Sequence, residues 1–158
     1  LCGDILSGGM DGGGFDALVS MLVFLHIPDR ASLLGRCHDA LRPGGALFVE
    51  DYYQRGPLSA VERRALAEKV YCRYLPDFAT YRAQLRAAGF TAIELRDRTE
   101  SWAGFVAERL AGFRAERERL IALHGRDLVD SLDDFYATVD GLFAGGNLGG
   151  VRIFARRA

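Results

Sequence analysis

The chain has 158 residues, and 20 Lys and Arg against 21 Asp and Glu give it a formal net charge of −1. Hydrophobic residues make up 49% and charged residues 26%, which is typical of a globular domain and excludes a disordered chain or a coiled coil. Because the chain is nearly neutral, it has no overall field that would gather nucleic acid or an anionic membrane. Apolar runs such as 17–25 are too short to span a bilayer, and no secretory signal is present.

The cysteines Cys2, Cys37 and Cys72 are too few and too scattered for a disulfide framework. With no secretory signal, they indicate reduced thiols and a cytoplasmic location. No CxxC or His/Cys spacing indicates a metal site, so we expect none. The chain begins with Leu1 instead of Met, and we therefore expect a domain that is incomplete at its N-terminus.

The first third of the chain predicts a loop, a strand, a helix and a second strand. The glycine-rich stretch 8–14 lacks the ending of a phosphate-binding loop and is expected to be a plain connector. The apolar run 15–21 predicts a buried strand. Asp29 can cap a helix that Pro43-Gly44-Gly45 ends, and 46–52 predicts the second strand.

The rest of the chain alternates in the same way. Ser59 and Glu62 form a capping box that predicts a helix over 59–73. A further helix begins at Asp77 and ends at Gly89, and 91–97 predicts a strand. Two apolar stripes predict a pair of helices over 100–124 and 128–144, before a last strand over 151–156. Alternating strands and helices indicate an α/β fold with a mostly parallel sheet.

Ligands of an open α/β sheet bind beyond the carboxyl ends of its strands. That rule selects three places in this chain: the opening segment with Asp4 and Ile5, the segment 20–26 after the first strand, and Asp51-Tyr52-Tyr53 after the second. These positions are the candidates for binding and catalysis.

Four motifs occur in a characteristic order: FDALVS at 15–20, LHIPD at 25–29, LRPGG at 41–45 and FVED at 48–51. In this order they resemble the second half of a class I S-adenosylmethionine-dependent methyltransferase. The resemblance implies a Rossmann-like fold with a final antiparallel strand and an inserted helical pair, covering 1–158 as a single domain. The family's glycine-rich cofactor loop would lie upstream of Leu1.

The same resemblance implies a site for S-adenosylmethionine. Asp4 matches the acid that accepts from the adenine amino group, and Ile5 matches the apolar neighbour that packs against the ring. Ser20, Met21 and Leu22 follow the first strand and are expected to contact the cofactor. Because the glycine-rich loop is absent, we expect the 158-residue chain alone to bind the cofactor poorly and to be inactive.

Downstream motifs narrow the resemblance. Asp51-Tyr52, Arg73-Tyr74, the DRTESW motif at 97–102 and SLDD at 131–134 resemble the phosphoethanolamine N-methyltransferases, and the last helices and strand also resemble the sarcosine/dimethylglycine enzymes. The resemblance implies a small-molecule amine substrate, with His26 as the catalytic residue and with Asp51, Tyr52, Arg73 and Tyr74 contacting the substrate. The sequence departs from the family's pattern in two ways. Leu22 stands where the family has an acid four residues before the histidine, and the tyrosine that pairs with that histidine in the family would lie upstream of Leu1.

These residue types suit methyl transfer to an amine. The nitrogen must be neutral and in line with the methyl group, and an imidazole can take or relay its proton near neutral pH. Aromatic faces and carboxylates attract the cationic product, and Arg with Tyr hydroxyls would hold a phosphate.

Two alternatives remain at this point. The chain could be a degenerate methyltransferase half that acts as a binding or regulatory module, a reading favoured by Leu22 and the missing loop. A nicotinamide-dependent enzyme is the weaker alternative, since its glycine fingerprint is absent too. The acceptor, the number of methylations and the oligomeric state stay open.

Overall fold

The computed structural model describes residues 4–7 and 13–158. Cys2, Gly3 and the greater part of the predicted glycine-rich connector (8–12) therefore lie outside the described residues. The strands are Phe15–Met21 (β1), Leu41–Gln54 (β2), Phe90–Asp97 (β3) and Leu148–Arg157 (β4). The helices are Arg30–Ala40 (α1), Ala60–Lys69 (α2), Phe78–Ala87 (α3), Thr99–Ala115 (α4), Arg117–His124 (α5) and Arg126–Ala144 (α6), and a 3₁₀ turn covers Phe24–His26.

The strands form one mixed sheet in the order β1-β2-β4-β3. β1 pairs with β2 in parallel, whereas β4 is antiparallel to both β2 and β3. Three strands therefore run in one direction and the last strand runs against them. This confirms the predicted α/β class with a final antiparallel strand.

β2 separates two layers because side chains alternate between the faces of a strand. Val49 and Tyr53 belong to the core that contains Tyr81 and Leu85 of α3. Tyr52 points to the opposite face and packs in a second cluster that includes Phe143 of α6. The residues of β2 thus divide between a helix-covered core and the layer of α4 and α6.

Three helix starts agree with the caps that the sequence predicts. Asp29 accepts a hydrogen bond from the Ser32 backbone N–H at 3.1 Å, and Asp77 accepts one from Thr80 at 2.7 Å. Ser59 and Glu62 form a reciprocal capping box. Each cap satisfies a backbone donor that the first helical turn leaves free.

Several boundaries differ from the prediction. α2 ends at Lys69 instead of near Arg73, because Tyr71 takes a left-handed backbone conformation (φ 56°) and the Cys72 N–H donates to the Leu66 carbonyl at 2.8 Å. The predicted helix over 100–124 is broken at Glu116 into α4 and α5. β2 already begins at Leu41, in front of the predicted Pro-Gly-Gly stop, because Leu41 pairs with Phe15 across a shift in register.

In the part of the chain that the structure describes, no helix combines the length and apolarity needed to cross a bilayer.

Candidate functional site

A cavity of about 530 Å³ opens beyond the carboxyl end of β1. Its walls include Asp4 and Ile5 from the opening segment and Ser20, Met21 and Phe24 from the end of β1 and the following turn. We call it the β1 cavity. It brings together residues that the sequence assigns to one ligand although they are far apart along the chain.

The β1 cavity offers unused polar groups. The Ser20 hydroxyl is buried and has no hydrogen-bond partner among the described residues. Asp4 is exposed and stabilises the turn that it begins, because its carboxylate accepts a hydrogen bond from the Leu6 backbone N–H at 2.9 Å. A carboxylate has about four lone-pair sites, so Asp4 can accept further hydrogen bonds from a ligand. A buried hydroxyl without a partner is costly, and a polar ligand would satisfy it.

A second cavity, also about 530 Å³, lies between the carboxyl ends of β1 and β2 and the helices α4 and α6. We call it the helix cavity. Aromatic side chains dominate its walls, namely Tyr52, Trp102, Phe105, Phe135 and Tyr136. Met21 and Leu22 form its floor at the end of β1. Met21 belongs to the walls of both cavities, so both cavities border on this residue.

The aromatic wall is held by close packing on β4. Tyr52 contacts the rings of Trp102 and Phe143 edge to face, with centroids 6.0 and 5.6 Å apart. The Trp102 ring lies against Gly150, where a Cβ atom would be 2.5 Å from Trp102 Cδ2. Glycine is therefore required at position 150 because the indole occupies the space of a side chain.

Two charged residues line the helix cavity. Glu50 is bound by Arg152, whose Nε and Nη2 lie 2.7 and 2.5 Å from the same carboxylate oxygen, Oε1. Arg109 of α4 donates to the Tyr136 hydroxyl at 2.9 Å and stacks over that ring at 4.9 Å. Burial raises the pKa of Tyr52 to about 12, so its hydroxyl keeps its proton at neutral pH.

His26 lies exposed at the end of the 3₁₀ turn that follows β1. Its Nδ1 is 3.3 Å from the backbone carbonyl oxygen of Tyr71, in the loop after α2. A carbonyl oxygen only accepts, so in the neutral tautomer that fits this contact Nδ1 carries the hydrogen and Nε2 has a free lone pair. The imidazole is thus oriented as a base.

A buried ion pair supports the same turn. Asp51 is completely buried and accepts hydrogen bonds from the Leu25 backbone N–H at 3.2 Å, from Arg30 at 3.4 Å and from the Tyr81 hydroxyl at 2.5 Å. Burial raises the pKa of Asp51, and the Arg30 guanidinium opposes that rise. Through Leu25, Asp51 fixes the backbone beside His26.

Comparison with known proteins identifies the fold and the family. A family model described as a methyltransferase domain matches residues 1–49. Phosphoethanolamine N-methyltransferase 3 of Arabidopsis thaliana is 32% identical over 108 residues, which are 68% of this chain and 22% of the plant protein. This chain belongs to the class I S-adenosylmethionine-dependent methyltransferases. It covers less than a quarter of the length of that curated relative.

Two solved structures match the methyltransferase fold. Phosphoethanolamine N-methyltransferase 2 of Haemonchus contortus, in complex with phosphomonomethylethanolamine and S-adenosylhomocysteine, superposes with a TM-score of 0.87 at 22% identity, covering 98% of this chain and 36% of that one. A candidate sarcosine dimethylglycine methyltransferase from Galdieria sulphuraria gives a TM-score of 0.86 at 15% identity, covering 99% of this chain and 57% of that one.

The structure brings only some of the predicted site residues together. Asp4, Ile5, Ser20 and Met21, all predicted to bind the cofactor, line the β1 cavity. Leu22, predicted with them, lines the helix cavity instead, because its φ of 53° turns the chain away at the end of β1. Tyr52, predicted to contact the substrate, also lines the helix cavity.

The other predicted residues are absent from the described walls of both cavities. These residues are His26, Asp51, Arg73 and Tyr74. Asp51 has no exposed oxygen for a substrate in this structure, because alternation turns it into the core. Arg73 is exposed, and the Tyr74 hydroxyl accepts from Gln84 at 2.7 Å. Arg73 and Tyr74 follow Tyr71, whose carbonyl His26 contacts. His26 therefore contacts the loop that carries the two residues predicted to bind the phosphate.

Sequence reasoning missed several residues of the helix cavity. Trp102, Phe105, Phe135 and Tyr136 all belong to the apolar stripes that predict the helix pair, and such stripes are typical of core packing. Glu50 was passed over for its neighbour Asp51. Two signals were available, namely the alternation of β2, which separates Glu50 from Asp51, and an arginine at position 109, four residues after Phe105 on the stripe.

Within residues 4–7 and 13–158, no group of three or more His, Cys, Asp or Glu side chains could hold a metal ion.

Proposed function

We propose that the protein transfers a methyl group from S-adenosylmethionine to a small amine that carries a phosphate or similar anionic group, and that 1–158 forms part of a single methyltransferase domain. One observation carries this proposal: Met21 belongs to the walls of both cavities. Methyl transfer needs donor and acceptor in line and in contact, and two cavities that share a wall residue provide such a junction. The substrate named for the plant and nematode relatives supports the choice of acceptor.

The β1 cavity fits the cofactor. Asp4 can accept from the adenine amino group, Ile5 can pack against the ring, and the partnerless Ser20 hydroxyl can bond to a polar group of the ligand. When bound, S-adenosylmethionine supplies an electrophilic methyl group. Ser20 and Met21 are neighbours at the end of β1 and point to opposite faces of the strand, so Ser20 would meet the ligand inside the β1 cavity and Met21 would lie at the border with the helix cavity.

The helix cavity suits an amine. Aromatic faces such as those of Tyr52, Trp102 and Phe105 attract an ammonium group through the ring quadrupole. Glu50 adds negative charge near the end of β1, since its carbonyl accepts from the Leu22 N–H at 2.8 Å and its Cα pairs with Met21.

We assign the proton relay to His26. Its orientation by the Tyr71 carbonyl leaves Nε2 free to take a proton from the acceptor or from an intervening water. Asp51 acts on His26 through the backbone of Leu25, so we treat Asp51 as a positioning residue.

A methyl-transfer assay with the full-length protein tests the proposal. Phosphoethanolamine, its monomethyl derivative, sarcosine and dimethylglycine are compared as acceptors with labelled S-adenosylmethionine. Met21→Trp should lower kcat/KM by about 10²-fold, because a bulky ring at the junction displaces donor and acceptor. Val61→Trp is the matched control, since Val61 is exposed on α2 and lines neither cavity.

Absence of transfer to all four amines by the wild-type protein would contradict the proposal. An active wild type with an equally active Met21→Trp variant would show that the two cavities do not meet at Met21 during transfer.

A further inference from the structure

We propose that Arg109 and Tyr136 hold the anionic group of the acceptor, so that the helix cavity selects amines carrying an acid over amines without one. This inference rests on the proposed function and names the substrate class of the same site. The anchor differs from Arg73 and Tyr74, the pair for which the sequence predicts a phosphate contact.

Arg109 has no ion-pair partner among the described residues, in contrast to Arg114 and Arg117. Arg114 forms a two-point ion pair with Asp133 at 2.8 and 3.0 Å, and Arg117 pairs with Asp130. Arg109, on the same α4 helix as Arg114, has no carboxylate within 4.0 Å among the described residues. Its guanidinium bonds to a neutral tyrosine hydroxyl instead. An anion would therefore meet a cation that no protein carboxylate already neutralises.

The hydrogen-bond direction at Tyr136 adds a second donor. The Tyr136 oxygen accepts from Arg109 at 2.9 Å, which leaves the hydroxyl hydrogen free to donate elsewhere. Stacking at 4.9 Å over the same ring restricts the guanidinium. Arg109 and Tyr136 thus form a fixed pair of donors, which suits the oxygens of a phosphate or a carboxylate.

The other charged group of the cavity completes the selection. Glu50 is 12% exposed and uses one carboxylate oxygen, Oε1, for Arg152, so Oε2 has no protein donor in the described residues. A zwitterionic acceptor can place its ammonium among Glu50 and the aromatic rings and its acid on Arg109. A cation without an acid leaves Arg109 unmatched.

Arg73 offers no comparable arrangement. It is exposed, and it is absent from the walls of the helix cavity. The cavity wall therefore favours Arg109 as the cation that meets the acid.

Calorimetric titration of the full-length protein tests the assignment without requiring turnover. The ligands share a trimethylammonium group: phosphocholine carries a phosphate, glycine betaine carries a carboxylate, and choline carries neither. The variants are Arg109→Gln, Arg109→Lys, Arg73→Gln and, as a control for loss of positive charge, Arg64→Gln on the surface of α2. Because Arg109 is exposed, its replacement should leave the fold intact, which circular dichroism checks.

We expect Arg109→Gln to weaken the binding of phosphocholine or betaine by about ten- to a hundred-fold, because a charge-assisted hydrogen bond is lost. The affinity for choline should not change. The acid whose affinity falls more identifies phosphate or carboxylate as the recognised group. Arg109→Lys should retain part of the affinity, and Arg73→Gln and Arg64→Gln should retain all of it.

The assignment would be overturned if Arg109→Gln left the affinity for both acids unchanged or weakened choline binding equally. It would also be overturned if Arg73→Gln caused a matching loss of affinity, or if the wild-type protein bound none of the three ligands. The expected binding pattern without any methyl transfer would contradict the proposed function and leave the anchor standing.

Discussion

Replacing Gly150 by alanine is the sharpest test of how the helix cavity is built. A Cβ atom at this position would overlap Trp102 Cε3 and lie 2.5 Å from Trp102 Cδ2, a separation that real Cβ contacts do not show. Gly150 pairs with Tyr52 across β2 and β4, so the strand has little room to retreat. The indole must therefore move, and it is part of the cavity wall.

The cost should resemble that of an overpacked core. Inserting one methyl group into a filled space typically destabilises a protein by about 1–3 kcal/mol. We expect the upper half of that range for Gly150→Ala, because a rigid ring and paired backbone both resist displacement. Trp102 is the only tryptophan of the 158 residues, so its emission reports directly on its own displacement.

Urea unfolding with tryptophan fluorescence and near-ultraviolet circular dichroism measures both effects. Gly141→Ala is the matched control, since Gly141 lies inside α6 and a Cβ there meets nothing within 4 Å. Alanine should stabilise that helix by about 0.5–1 kcal/mol. The same substitution should thus have opposite signs at the two glycines.

A double-mutant cycle isolates the contact. In a Trp102→Leu background Gly150→Ala should cost at least about 1 kcal/mol less than in the wild type, because the smaller side chain leaves room for the methyl group. A Gly150→Ala variant with wild-type stability and emission, or a cost that Trp102→Leu does not reduce, would refute the packing described here.

Further outcomes follow for His26, the buried ion pair and a helix cap. His26→Ala should lower kcat by about 10²-fold with little effect on cofactor affinity in a methyl-transfer assay, and an unchanged kcat would return His26 to a structural role. Asp51→Ala should lower the free energy of unfolding in urea by about 3–5 kcal/mol, because it leaves the buried charge of Arg30 without its partner. Replacing both residues by apolar ones should cost less. Asp77→Ala should cost about 1 kcal/mol at pH 7. The backbone hydrogen bond from Thr80 lowers the pKa of Asp77, so its stabilisation is complete above the ordinary carboxyl pKa of about 4 and is lost as the pH falls through the lower pKa of the folded protein. A difference between variant and wild type that does not shrink as the pH is lowered below about 4 would contradict it.

The elements with strong local signals could be predicted from the sequence. β1 has the predicted bounds, and the caps Asp29, Ser59 and Asp77 mark real helix starts, because each rests on contacts within a few residues. The predicted burial of β1 is wrong, since Ser20 is its one buried residue and β1 lies at the edge of the described sheet. The end of α2 could not be predicted in this way. Val70 and Cys72 continue its apolar pattern, but both are buried in the second core, which fixes them in a non-helical segment.

The candidate site divides along the same line. Asp4, Ile5, Ser20 and Met21 were found by the rule that ligands bind at the carboxyl ends of strands, and they do line one cavity. The walls of the helix cavity come from α4 and α6, whose aromatic stripes look like core in sequence. Only the crossing of the two helices over β4 shows that a part of each stripe stays open to a cavity.

Alternation along β2 explains why adjacent acids have different tasks. Asp51 points to the core with Val49 and Tyr53, where Arg30 and Tyr81 engage it and hold the turn before His26. Glu50 points to the opposite face and meets the helix cavity. A shift of one residue in the pairing of β2 with β4 would exchange the two carboxylates, placing Asp51 beside Arg152 and leaving Glu50 buried. Burial opposes that shift, because the shift would turn Val49 and Tyr53 out of the first core together with Asp51. The burial pattern of β2 therefore keeps the carboxylate that holds the turn before His26 separate from the carboxylate that lines the helix cavity.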